Sequence, residues 1–144
     1  MCKDNVKLQR VTNFTCDEKI ADAIIRLHEK GYYTVFSCSG HPDDKYLSPY
    51  ILFDYIASIG LGELNGCNGA PLHWTIDVER GKDAPDMIYS YRISRSFSES
   101  ELETFSKETL IEIAMLELTL WAFSVPHNPF DIYTTGTIKK VLDE

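Results

Sequence analysis

The sequence predicts an α+β fold built mainly on an antiparallel sheet, and three observations carry that reading. Apolar residues recur at helical spacing over about 16–30, two alternating segments flank a polar turn at 81–86, and a longer apolar helical pattern covers about 98–123. With 144 residues, the chain is expected to form a single domain with its own core. Hydrophobic residues make up 44% and charged residues 25%, values close to globular averages that exclude a disordered or fibrous chain.

The first helix is expected to start at Thr15-Cys16-Asp17-Glu18, which has capping-box spacing, with the Thr15 hydroxyl accepting an amide while Glu18 reaches back. Ile20, Ala23, Ile24 and Leu27 then share a face, and Gly31 stands where a left-handed C-terminal cap belongs. Residues 32–38 are aromatic and β-branched, so they read as a strand running into the turn formers Ser39-Gly40-His41-Pro42. A second strand is expected over 50–56, and the glycine-bearing stretch 60–69 reads as a connection. Over 73–80, Trp74, Ile76 and Val78 alternate with His73, Thr75, Asp77 and Glu79, the pattern of a strand with one buried and one wet face. The strand pattern resumes at 87–94, which predicts an antiparallel hairpin with Tyr89, Tyr91 and Ile93 on one face.

Ser98 and Glu101 again have capping-box spacing, opening a helix expected to run to Phe123, ahead of Pro126. Its apolar positions from Leu110 to Phe123 exceed one stripe, so the helix is either central to the core or meets another subunit, which makes a homo-oligomer a candidate state. Beyond it, His127-Asn128-Pro129 are turn formers, and a short strand or helix follows.

A net charge of -8 and a pI near 4.9 disfavour extended nucleic-acid binding, which needs a basic surface to release counterions. Arg80, Lys82, Arg92 and Arg95 nevertheless fall close together in sequence, enough for one small anion or for an ordinary solvated surface. No secretory leader pattern or uncharged apolar run of membrane-spanning length is present, so a cytoplasmic protein without membrane association is expected. Cys2, Cys16, Cys38 and Cys67 lack CxxC spacing and read as reduced thiols.

The candidate site is the loop Ser37-Cys38-Ser39-Gly40-His41. Small residues let backbone amides approach an anion, serine hydroxyls donate or accept, and histidine as a class titrates near neutral pH. The same stretch also reads as a plain strand-to-turn junction. Cys38 and His41 have the spacing of a metal half-site or a thiol–imidazole pair; completing a metal site would need Cys67, His73, Asp43 or Asp44, and no metal is expected. His73, Thr75, Asp77 and Glu79 are in phase on one strand, and Ser90, Arg92 and Ser94 on the next; beside the loop they would supply acceptors for a base or ribose and a cation for phosphate, and otherwise they form a wet sheet face. The glycines near 60–69 match neither GxGxxG nor GxxxxGK[ST], and GxSxG, HExxH and EF-hand patterns are absent.

Tyr33-Thr34-Val35-Phe36-Ser37-Cys38-Ser39-Gly40 resembles the TSSCSGR-type signature of the wybutosine-synthesising tRNA methyltransferases that act at the third step of that pathway, with His41 where that family carries arginine. The resemblance implies a related α+β architecture, a ligand site at the same loop, and S-adenosylmethionine-dependent RNA methylation as a family-derived activity. The segment Gly31-Tyr32-Tyr33-Thr34-Val35-Phe36-Ser37-Cys38-Ser39-Gly40-His41 is also similar to a GYxTxxSCSGH stretch in small bacterial and phage proteins. The residues by themselves call for no cofactor.

The leading expectation is a pocket for a small nucleotide-like anion, one that would sequester a signalling nucleotide in phage–host conflict. Tyr33, Ser37, Cys38, Ser39, Gly40, His41, Arg92 and Arg95 are its candidate ligand-binding residues, with Tyr89 or Tyr91 as further stacking rings. The alternatives are an enzyme on the same loop, a methyltransferase or a nucleotide hydrolase with His41, Asp43 and Asp44 as catalytic candidates, and an interaction module using the 98–123 helix.

Overall fold

In chain order the elements are β1 (Asn5–Gln9), β2 (Asn13–Asp17), α1 (Glu18–Glu29), β3 (Thr34–Cys38), β4 (Tyr50–Phe53), α2 (Tyr55–Glu63), β5 (Thr75–Arg80), β6 (Ile88–Ser94), α3 (Glu99–Thr104), α4 (Lys107–Ser124) and β7 (Lys139–Leu142). The computed structural model describes residues 5–9, 13–42, 47–63, 70–83, 88–131 and 139–142. Two antiparallel sheets result, one in the order β2-β1-β7 and one in the order β3-β4-β6-β5. Helix α1 touches both sheets and packs along α4, while α2 lies on β6. The core is one cluster that joins Ile20, Ile24 and Leu27 of α1 to Ile51 and Phe53 of β4, Tyr91 and Ile93 of β6, and Leu118 and Trp121 of α4. The α+β fold, with its N-terminal helix and long C-terminal helix, is therefore the one the sequence predicts.

The C-terminus of α1 also follows expectation. Gly31 takes φ +86°, the Tyr32 amide donates to Leu27 O at 2.8 Å and the Gly31 amide to His28 O at 3.0 Å, the paired bonds of a Schellman closure. Tyr32 is then fully buried, its hydroxyl donating to Pro126 O at 2.7 Å, and burial pushes its pKa up to about 12. The helix start is different from the capping box predicted at Thr15. Thr15 pairs with Lys7 inside β2, the N-cap is Asp17, and Asp17 makes no side-chain cap bond. Strand pairing with β1 holds the chain extended to Asp17, whose carboxylate turns instead toward the 37–41 loop.

Two further boundaries differ from expectation. The second strand ends at Phe53 because Asp54 caps a helix: its Oδ1 accepts from the Ala57 amide at 2.8 Å and its carbonyl from the Ser58 amide at 2.9 Å. Residues 55–63, read in part as connection, form α2 and bury Ala57, Ser58, Gly60 and Leu61. The helix expected over 98–123 is divided. The Ser98–Glu101 capping box is present, but Phe105 and Ser106 are extended and the Ser106 hydroxyl accepts from the Thr109 amide at 3.1 Å, starting α4 anew.

Two cations tie these parts together. Lys30, at the end of α1, donates to the carbonyls of Ala122, Phe123 and Val125 at 2.8, 2.7 and 2.6 Å, capping the C-terminus of α4, which has no basic residue in its own last turn. Arg95, 3% exposed, donates from Nε to Glu117 Oε1 at 2.9 Å and from Nη2 to Glu101 Oε2 at 2.8 Å, joining the end of β6 to both C-terminal helices. Hydrogen bonding to Arg95 pushes the Glu101 pKa down to about 2. Asn128, buried in the turn the sequence marks, donates to Gly31 O at 3.0 Å and Ile56 O at 3.2 Å. Among the described residues no helix is long and apolar enough to cross a membrane.

Candidate ligand site on the open sheet face

Side chains alternate along a strand and directly paired residues share a face, so the ladder decides what the β3-β4-β6-β5 sheet presents on each side. One side carries Ile51, Phe53, Tyr91 and Ile93 into the core. On the other, Cys38 pairs with Tyr50, Tyr50 with Ser94, and Ser94 with Thr75; one step along, Phe36 pairs with Leu52, Leu52 with Arg92, and Arg92 with Asp77. Phe36 is 63% exposed, and Arg92, Asp77 and Thr75 are exposed as well. An irregularity between Thr34 and Phe36 sets this phase: Thr34 pairs with core-facing Phe53 and bonds His28, whereas Phe36 reaches the open side.

The arrangement gathers some of the predicted residues and withdraws others. His41 and Cys38 meet at 3.5 Å, Nε2 to Sγ, at the end of β3. Arg92 stands 4.8 Å over the Tyr50 ring, a cation–π contact that orients the guanidinium on the open face. Beside it the Thr75 and Ser94 hydroxyls meet at 3.3 Å. Ser37 pairs with Ile51 and so belongs to the core side. Tyr33 donates its hydroxyl to Asp131 Oδ1 at 2.9 Å, away from these ladder rows. Tyr91 is fully buried, and Arg95 spends its donors on carboxylates and on Ser96 O. Arg95 is thus withdrawn from the group Arg80, Lys82, Arg92 and Arg95 that the sequence placed close together. Asp43, Asp44 and Cys67 lie outside the described residues, as does the Tyr89 side chain.

The loop is organised differently from an open anion cradle. Ser39 is buried, and both its amide and its hydroxyl donate to Asp17 Oδ2, at 2.8 and 3.0 Å. The Gly40 amide donates to Cys38 Sγ at 3.4 Å, and Gly40 at φ +90° lies so close to Leu47 O that a Cβ would collide with it. The Ser39 and Gly40 amides are therefore directed to a carboxylate and a thiol of the protein itself. This fixes Cys38 and His41 at the rim of the sheet face, on which Arg92 is an exposed cation.

Phe36, Tyr50 and Leu52 complete the surface, and none of them was among the residues the sequence marked as binding. The signal was present in the two-residue phase that 36 and 38 share with 50 and 52, but it became usable only with the register. Among the described residues no cluster of three or more His, Cys, Asp or Glu side chains is placed to hold a metal; His73, a metal candidate, instead meets Glu117 at 2.8 Å. Compared with family models, curated proteins and solved structures, the chain has no match.

Proposed function

We propose that this protein binds a small nucleotide-like anion across the open face of the β3-β4-β6-β5 sheet, at the end where β3 runs into the 39–41 loop. The observation that carries the reading is the ladder row Phe36–Leu52–Arg92–Asp77 beside the row Cys38–Tyr50–Ser94–Thr75. Phe36 offers an exposed ring for a base, Arg92 a positioned donor fork for phosphate, and Asp77 with the Ser94 and Thr75 hydroxyls supplies acceptors for base or sugar groups. One cation suits a single small anion, in keeping with a chain whose net charge is -8.

Binding without turnover is favoured by the loop. The amides beside Cys38 donate to Asp17 and to Cys38 itself, so they do not converge on a point where a reacting oxygen could be stabilised. The 3.5 Å approach of His41 to Cys38 supports a second reading, in which imidazole activates the thiol for chemistry on the bound ligand, and methyl transfer or nucleotide hydrolysis belongs to that same alternative. Calorimetric titration with nucleoside monophosphates and with inorganic phosphate separates the possibilities. Saturable binding that weakens about 10- to 100-fold in Arg92→Ala, the loss of one charge-assisted bond, supports the proposal. Titrations silent for every nucleotide would sink it.

A further inference from the structure

The outward side of α4 has no role in the ligand site. Leu116, Leu120 and Phe123, spaced one turn apart on this helix, are 60%, 62% and 58% exposed, while Leu110, Ala114, Leu118 and Trp121 fill the core from its other side. The stripe is also electrically polar along its length. At its C-terminal end Arg26 lies 4.2 Å from the Phe123 ring centroid and 3.4 Å from Glu29 Oε1, and the Lys30 ammonium sits on the last carbonyls of the helix. At its N-terminal end the exposed residues are Glu108 and Glu112.

From this pattern we propose that α4 pairs antiparallel with α4 of a second copy of the chain. A two-fold axis between Leu116 and Leu120 sets each of these leucines on the other in the second copy and brings Arg26, beside Phe123, against Glu112 across the interface, twice. A parallel pairing would oppose like charges at both ends, so the charges select one orientation. At about 200 Å² for a large apolar side chain, the stripe exposes on the order of 350 Å². A stable interface buries about 800 Å² per partner, so flanking residues such as Glu108, Glu112, Thr119 and Arg26 must contribute the rest. A self-complementary patch of this kind is what an isologous dimer requires.

Sedimentation velocity across a micromolar concentration series tests the pairing. The wild type is expected to sediment as a dimer and Leu120→Glu as a monomer with unchanged circular dichroism. Arg26→Glu and Glu112→Arg should each weaken the dimer on the order of tenfold, since each substitution acts twice, and their combination should restore it. A wild type that stays monomeric at every concentration overturns the proposal and leaves the stripe to a different partner. A dimer untouched by Leu120→Glu, or a double variant no better than its parents, places the contact elsewhere and overturns it as well.

Discussion

Asp17→Ala tests how the candidate site is held. The substitution removes two hydrogen bonds that Ser39 makes to one carboxylate oxygen, at 2.8 and 3.0 Å, from a residue that is 5% exposed. A bond to a charged acceptor contributes about 1.5 kcal/mol or more, so the loss is about 3 kcal/mol, with the Ser39 amide left buried and unpaired. For a domain of this size, with a urea slope of about 2 kcal/mol per molar, the unfolding midpoint should fall by roughly 1.5 M. Asp17→Asn, which keeps an acceptor without the charge, should fall about half as far. Urea unfolding followed by tryptophan fluorescence gives these numbers, and hydrogen exchange at Ser39 should accelerate in parallel. Coupling between Asp17→Ala and Ser39→Ala in a double-mutant cycle isolates the hydroxyl bond. A midpoint shift below that expected for about 0.5 kcal/mol, with Ser39 exchange unchanged, would refute the claim that Asp17 organises the loop.

Lys30→Met removes three carbonyl bonds at the C-terminus of α4 and should cost about 1–3 kcal/mol in thermal or urea unfolding, with Lys30→Arg retaining most of the stability. Glu101 has its folded pKa pushed from 4.5 down to about 2, so its ionised form adds stability that is complete above about pH 4.5 and is lost as the pH falls toward 2. Glu101→Gln should therefore flatten that part of the stability–pH curve, and an unchanged acid limb would contradict the ion pair. Gly31→Ala forces φ +86° on a residue with a Cβ and drives that Cβ into Asp131, so it should destabilise by at least about 1–2 kcal/mol in the same assay.

What the sequence reveals of this fold follows from how local each determinant is. The α1 stripe, the Gly31 closure, the Ser98–Glu101 box and the alternation of Ile76 and Val78 are each settled within a few residues, and all are found. The Thr15 box fails because β1, eight positions earlier, claims Thr15 through hairpin pairing, and α2 is hidden because its two glycines interrupt a short apolar run that has no single stripe. The break before α4 depends on which of two serines caps, and both do. β1 and β2 form a local hairpin that the sequence expectations did not include, and β7 joins β1 through a long-range pairing that no single segment announces.

The site shows the same division. Cys38, His41 and Arg92 are brought to one face, as the phase of 90, 92 and 94 allows, but Arg95 is drawn into ion pairs with the partly exposed Glu101 of α3 and the buried Glu117 of α4. Ser39 is claimed by Asp17, 22 positions away in sequence. Tyr50 and Phe36 become part of the surface only because β4 lies between β3 and β6, which is a fact of topology.

Native mass spectrometry of freshly purified wild type and Arg92→Ala, followed by denaturing extraction of any bound small molecule, tests ligand binding most directly. The account predicts one nucleotide-like anion per chain, released chemically unchanged and strongly depleted in the variant. An empty protein that also takes up no added nucleotide, or an extract containing a modified product whose formation requires His41, would contradict it.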